Sequence, residues 1–218
     1  FQGVTPLIAS PLIALPLALI GLLDDRYNLP ATWRYGVQLA TSLMVILICP
    51  LVDQSLAWLP ISALLVIAIT AVINFTNFMD GLDGLVTGCM AVTLTAIAIK
   101  LAVPWTIWTL VGSLLGFLRW NWCPAKVFMG DVGSTFLGAV FAGLVLQASN
   151  WLEAMAILLV ATPLLGDAFL CFPRRLIAGD KVFLAHRLHL FQRLHQAGWH
   201  HARVACLYIS ATIVLAIG

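Results

Sequence analysis

Asn74, Asn77, Asp80 and Asp83 recur at every third position in the stretch INFTNFMDGLDGL, at the end of a run that is otherwise apolar. If the helix continued, this spacing would keep each polar group close to the last, on a row drifting slowly around the axis. Gly81 and Gly84 then let the backbone turn or come close to a ligand. A plainer reading makes the stretch one helix end and one helix start, with Asp83 as N-cap. Capping accounts for one carboxylate, two at most. It leaves Asn74 and Asn77 unexplained, because unpaired amides inside an apolar run are expensive. Asn74-Phe75-Thr76 also matches a glycosylation acceptor pattern, which its place in an apolar span makes a chance match.

Three other stretches carry comparable groups. In GLLDDRYNLP, Asp24 and Asp25 are adjacent at the end of an apolar run. They read either as a capped, solvated helix stop or as an acid/base or metal-binding pair, since neighbouring carboxylates hold one proton more tightly than either alone. In FMGDVGS, Phe128 to Ser134, glycines flank Asp131 at a helix start. Free N–H groups there favour phosphate, and a carboxylate can hold Mg²⁺ against that phosphate; the competing reading is an N-cap. In AHRLHLFQRLHQAGWHH, helical spacing sets His186, His189, Arg193, Gln196 and His200 on one face, opposite Leu184, Leu188, Phe191 and His195. Such a segment can lie on lipid with its basic face toward headgroups, or turn that face toward a diphosphate.

The elements that must position these groups are apolar throughout. Hydrophobic residues make up 62% of the chain and charged residues 9%, with a mean hydropathy of +1.03. A soluble domain carries roughly 25% charged residues, so the composition excludes an ordinary soluble protein. A net charge of +2 is too small to suggest nucleic acid as a partner. The five cysteines form no CxxC pair and read as small core hydrophobes, not as a disulfide framework or a zinc site. Trp58, Trp105 and Trp151 fall near run ends, as an interfacial aromatic belt would. Apolar stretches lie at roughly 5–23, 33–51, 57–77, 85–102, 104–119, 131–148, 151–171 and 203–218, with one long polar segment at 172–202. The expected fold is an all-α, polytopic membrane helix bundle of about eight spans, because a single span in lipid must satisfy its own backbone.

If each stretch crosses once, ten of the eleven basic residues share one face, Lys100 alone lying opposite. That face is then cytoplasmic. It also collects Asp24, Asp25, Asp80, Asp83, Asp131, Asp167 and Asp180, with only Asp53 and Glu153 opposite. Carboxylates crowded at low dielectric repel one another; a divalent cation and phosphate ligands explain why acids and bases gather together.

The ordered set is DD after one span, NxxNxxDGxDG after a later one, FMGDxGS after two more, then a His-containing loop. It resembles the polyprenyl-phosphate N-acetylhexosamine-1-phosphate transferases, over essentially the whole chain. The resemblance implies a single membrane transferase domain over 1–218, N-terminally incomplete by about two spans before Phe1, with the amphipathic loop at 172–202. It implies Asp131 as the principal Mg²⁺ ligand (Mn²⁺ is the alternative ion), and Asp24 and Asp25 beside the lipid phosphate and donor diphosphate, one of them as base. Asn74, Asn77 and Asp80 would line the metal–diphosphate site. Asp83 would contact uracil and Phe128 would stack on it. His186, His189 and Arg193 would come from the loop closing over the donor. The lipid I-forming enzymes carry adjacent histidines here; HRLHLFQRL is more similar to the O-antigen-priming branch that uses N-acetylated 6-deoxyaminosugars.

The implied reaction moves an aminosugar 1-phosphate from a UDP-N-acetylaminosugar to polyprenyl (undecaprenyl) phosphate with release of UMP, at the inner membrane's cytoplasmic face. Its implied setting is the lipid bilayer, with room for a homodimer. Two other classes compete: an ion-coupled transporter, which would place acids near span centres and pair broken helices, and a non-catalytic prenyl-lipid-binding subunit.

Overall fold

A backbone surrounded by Leu, Ile, Val and Ala must satisfy its own N–H and C=O groups, and the helix does so within one segment. The computed structural model describes residues 6–52, 55, 58–103, 105–177, 179 and 189–218. Among these it is all-helical, with the order α1 (Pro6–Tyr27), α2 (Ala31–Leu47), α3 (Leu59–Phe78), α4 (Leu85–Lys100), α5 (Trp105–Asn121), α6 (Gly130–Val145), α7 (Trp151–Val160), α8 (Thr162–Ile177), α9 (Leu190–Gln196) and α10 (His201–Ile217).

The middle of the bundle is α6. Every residue from Leu137 to Val145 is buried, and α1 and α3 pack along it. A second group forms where α4 packs against α5 and α10. The outer faces remain apolar: Leu12 and Leu19 of α1, Leu43 and Leu47 of α2, Leu64 and Ile67 of α3, and Val214 and Ile217 of α10 are all exposed. A soluble monomer seldom leaves so much contiguous apolar surface uncovered; a hydrocarbon environment covers it without further packing. By length and composition alone, α3, at 20 residues and thus about 30 Å, is the one described helix long and apolar enough to cross a bilayer by itself; α7 and α8 pass the same test only when taken together. The apolar helices α4, α6 and α10 run to 16 or 17 residues.

Two expectations change in detail. The stretch 151–171 is two helices, α7 and α8, bent by 85°. Pro163 explains the break: it has no N–H to donate to the Leu159 carbonyl in a continuous helix, whereas in the first turn of α8 that N–H is not needed. The His-rich segment is also not one continuous amphipathic helix where it is described. α9 ends at Gln196, Gly198 just beyond it has φ +91°, and His200 is extended, its ring accepting the Ala202 N–H at 3.4 Å as α10 begins. His186 lies outside the described residues, and α8 carries the preceding polar stretch as helix to Ile177.

Candidate active site

The C-terminal ends of α1 and α3 and the N-terminal ends of α2 and α6 meet around Asp131. This residue stands in the first turn of α6, where the free N–H groups and helix dipole favour negative charge. Its Oδ1 accepts from Asn77 Nδ2 at 2.7 Å, and its Oδ2 from Arg34 Nη1 at 3.1 Å. The same Arg34 nitrogen donates to Asp24 Oδ2 at 2.8 Å, so one guanidinium bridges two carboxylates. Asn77 also donates to Ser134 Oγ at 2.9 Å. Asp24 Oδ1 accepts the Leu29 N–H at 2.8 Å, so this residue is both a helix-end cap and part of the charged network.

Backbone approach brings Asp25 in. Gly130 adopts φ +63°, and a Cβ there would stand 2.6 Å from Asp25 Oδ2. Only a glycine both accepts that backbone conformation and leaves room for the carboxylate. Gly21 acts similarly one turn earlier on α1: a Cβ would lie 2.7 Å from the Asp131 carbonyl carbon and the Val132 nitrogen. The α1–α6 contact that carries Asp25 toward Asp131 therefore depends on a missing side chain.

Asp80 lies in the turn between α3 and α4. Its carboxyl is pushed up to about 7, first by burial and then by the charges of Asp131 and Asp25, with the Gly130 backbone partly opposing. That crowding tests the fit of a cation. Asp25, Asp80 and Asp131 bring three carboxylates into mutual electrostatic reach, and Arg34 is the cation hydrogen-bonded to Asp131. A donor set of carboxylate oxygens with excess negative charge suits a hard dication such as Mg²⁺, which takes one or two protein carboxylates and fills its shell with water and phosphate.

The amides in the apolar run find partners. Asn74 Nδ2 donates to Gln38 Oε1 at 2.8 Å and to the Thr70 carbonyl at 2.8 Å. Ser42 and Thr70 hydroxyls lie 3.2 Å apart one turn further along. α2 and α3 are thus joined by a polar seam leading to Asp131. A cavity of about 80 Å³ opens here, lined by Arg34, Gln38, Asn74, Asn77 and Asp131. Beside it, an apolar groove of about 1260 Å³ runs between α1 and α2, past Leu12, Pro16, Trp33, Val37 and Met44.

The remaining sequence candidates lie apart from this network. Asp83 accepts the Ala125 N–H at 3.2 Å and faces His201 Nδ1 at 3.3 Å. Burial pushes its carboxyl up, but Ala125, His201 and Cys123 outweigh this and hold it below the usual range. Phe128 projects from the loop before α6 and is 74% exposed, free to stack on a planar ligand. Arg193 is exposed on α9. His189 departs from expectation: it is buried, stacked on Phe191 at 5.7 Å between ring centroids and 4.0 Å from Asp167, and it is absent from the lining of the Asp131 cavity.

Sequence reasoning treated Arg34 only as part of a charge count and passed over Gln38. Arg34, Gln38 and Ser42 follow i, i+4, i+8 spacing on an apolar helix, which places them on one face; that polar stripe was the available signal. It also missed Asn121, which accepts from Thr87 Oγ1 at 2.7 Å and the Gly84 N–H at 3.2 Å while donating to the Val127 carbonyl at 3.0 Å. Asn121 ties the loop bearing Phe128 to the turn bearing Asp83.

Residues 7–149 match glycosyl transferase family 4, and the chain belongs to this family. A probable undecaprenyl-phosphate N-acetylglucosaminyl 1-phosphate transferase of Bacillus subtilis (strain 168) is 29% identical, over 94% of this chain and 62% of its own length. A decaprenyl-phosphate N-acetylglucosaminephosphotransferase of Mycobacterium tuberculosis (strain ATCC 25618 / H37Rv) is 31% identical, over 91% of this chain and 59% of its own. A phospho-N-acetylmuramoyl-pentapeptide-transferase of Prochlorococcus marinus is 31% identical, over 66% and 47% respectively. The chain thus spans about 60% of the length of the first two relatives.

Proposed function

We propose that this chain forms the reaction centre of a membrane transferase that moves an N-acetylaminosugar 1-phosphate from a UDP-sugar to polyprenyl phosphate, releasing UMP. The observation that carries the reading is the meeting of Asp25, Asp80 and Asp131 with Arg34 and Asn77 beside an apolar groove. A prenyl phosphate has the same two parts, a long apolar chain and an anionic head. The tail lies along α1 and α2, and the head reaches Arg34, whose guanidinium offers a fork to phosphate oxygens.

An acceptor phosphate oxygen attacks the sugar-linked phosphorus. The new phosphorus–oxygen bond completes the lipid diphosphate, while the bond to the UMP oxygen breaks and its electron pair leaves with UMP. Catalysis of such a transfer is mainly positioning and charge neutralisation. Asp131, with Asp25 and Asp80 beside it, holds Mg²⁺ or Mn²⁺, which supplies neutralisation of the diphosphate charge when bound. Asn77 fixes the Asp131 carboxylate, and Asn74 with Gln38 fixes α3 against α2. One of Asp24 and Asp25 takes any proton left on the acceptor. Phe128 and Asp83 receive the uracil, and Arg193, with His186 from the segment before it, meets the donor phosphates. His189 acts at a distance, by seating α9.

The donor is an N-acetylated 6-deoxyaminosugar nucleotide, on the strength of HRLHLFQRL, and the product starts O-antigen or a related envelope glycan at the cytoplasmic face of the inner membrane. Purified full-length protein with prenyl phosphate, Mg²⁺ and a panel of UDP-N-acetylhexosamines tests both levels. UMP release that disappears in Asp131→Asn is the expected result. Undiminished turnover in that folded variant refutes the site, and a lipid product carrying only N-acetylglucosamine by mass refutes the branch.

A further inference from the structure

A second cluster of chemistry-bearing side chains lies at Asp83, Cys123 and His201. They come from three separate segments: the turn between α3 and α4, the loop between α5 and α6, and the first residue of α10. One ligand atom from each lies within 4.8 Å of the other two, and His201 Nδ1 is 3.3 Å from Asp83 Oδ2. His200 adds a fourth group, its ring nitrogens 3.8 and 3.9 Å from Cys123 Sγ.

Those spacings match a small tetrahedral shell. Zinc binds His nitrogen and carboxylate oxygen at about 2.0–2.2 Å and thiolate at about 2.3 Å, which sets neighbouring ligand atoms roughly 3.3–3.8 Å apart. The observed contacts need tenths of an ångström to about one ångström of adjustment to meet it. The donors also select the ion. Thiolate and imidazole suit zinc and reject magnesium, whereas the all-oxygen set around Asp131 has the opposite preference. An ion has access, since the His201 side chain is 31% exposed and His200 is exposed.

We propose that Asp83, Cys123 and His201, with His200 or water in the fourth position, form a binding site for a zinc-class divalent cation. The ion ties the α3–α4 turn and the Phe128 loop to the start of α10. An Asp–His ion pair alone would explain the 3.3 Å contact, but it gives no reason for a thiol within 4.8 Å of both partners. The inference does not depend on the transferase reading, because its readout is metal binding and not turnover; the ion takes Asp83 Oδ2, the oxygen that faces His201 and Ala125, and leaves Oδ1 for the uracil.

The test uses the full chain in detergent, stripped with chelator and titrated with Co²⁺ as a spectroscopic probe, then with Zn²⁺. The expected results are equimolar metal by mass spectrometry, a thiolate-to-cobalt charge-transfer band displaced by Zn²⁺ but not by Mg²⁺, and a Zn²⁺-dependent rise in unfolding temperature. Cys123→Ser should lose the band. Both it and His201→Gln should bind Zn²⁺ at least about tenfold more weakly, the loss that even outer-sphere partners cause. Asp131→Asn should bind Zn²⁺ unchanged. Absence of the band in wild type, or Zn²⁺ bound equally well by Cys123→Ser, overturns the proposal.

Discussion

Asp131 and Asp167 are both aspartates in apolar helices, and both gather donors from other elements, yet the two sites are built for opposite purposes. Asp131 is 26% exposed at its side chain, and side chains, Asn77 and Arg34, donate to it. Asp167 is 7% exposed and is filled by fixed groups. It accepts the Leu190 N–H at 2.7 Å, the Phe191 N–H at 3.1 Å and the Tyr208 hydroxyl at 2.7 Å, with His189 at 4.0 Å. Backbone N–H groups at a helix start need an acceptor, and Asp167 serves α9 from another helix. A carboxylate closed by backbone donors is a fastener. One held by movable side chains beside a cavity can exchange them for substrate or metal.

The two sites are mechanically linked. Phe191 supplies one of the N–H groups that Asp167 holds; it is fully buried, and its ring would lie 3.1 Å from a Cβ on Gly81. Gly81 sits between Asp80 and Asp83. The Asp167 clamp therefore presses α9 against the turn that carries the candidate chemistry.

The sharpest way to break the contrast is to replace each acid by its amide. Asp131→Asn should lower UMP release by a hundredfold or more, on the order of the loss when a charge-stabilising group leaves an active site, with little change in unfolding temperature. Asp167→Asn keeps one acceptor oxygen and should retain turnover in the folded fraction while unfolding at a lower temperature. The distinction fails if both variants lose activity and stability together.

Next in size is Gly21→Ala. The added methyl meets the backbone of Asp131 and Val132, which cannot rotate away. Displacement of Asp131 by about an ångström should cost about a hundredfold in turnover, and overpacking a further 1–3 kcal/mol of stability. Gly112→Ala, where a Cβ meets nothing within 4 Å, is the control and should leave turnover unchanged with no loss of stability. Steady-state UMP release and thermal unfolding in detergent check both.

Asp167→Ala comes third. It leaves the Leu190 and Phe191 N–H groups and the Tyr208 hydroxyl without their acceptor. An unsatisfied buried donor costs about 1–3 kcal/mol, and water reaching the α9 start will recover part of the total. A drop of about 2–4 kcal/mol in unfolding free energy is expected, with increased hydrogen exchange in α9 and the α3–α4 turn. Exchange confined to α9 would cut the proposed link through Phe191 and Gly81.

These sites differ in how far the sequence disclosed them. The Asn and Asp residues at intervals of three announced themselves, because polar groups in an apolar run require a reason, and their spacing located the α3 end and the turn after it. Asp131 was legible from its flanking glycines. Asp167 was not, since a lone acid in an apolar stretch has no local pattern and its partners lie 23 to 41 residues away. Arg34 was hidden for a related reason: its bond to Asp131 crosses 97 residues, and only the stripe with Gln38 and Ser42 hinted at a facing partner. The α7–α8 bend was written in Thr162-Pro163, but the continuous hydrophobicity of 151–171 masked it. His189 shows the limit of periodicity. Helical spacing placed it with Arg193, whereas the helix begins one residue later and turns its ring inward.

His189 gives the smallest effect and the finest test of the clamp. Burial, reinforced by Arg175, pulls its pKa below the ordinary 6.5, and the Asp167 charge only partly opposes this. The folded protein therefore binds fewer protons at His189 than the unfolded chain between the lowered value and 6.5. Stability from this group is fully present above the unfolded pKa and is lost as pH falls through the folded one. Acidifying wild type from about pH 7.5 to about pH 5.5 should lower the unfolding temperature, and His189→Gln should flatten that dependence. The slope should also respond to Asp167. With the neighbouring carboxylate neutralised in Asp167→Asn, the protonated ring loses its counter-charge, the folded pKa drops further, and the acid loss should steepen. A slope that becomes shallower in Asp167→Asn would mean that His189 answers to some other group, and that the two residues do not form one fastener.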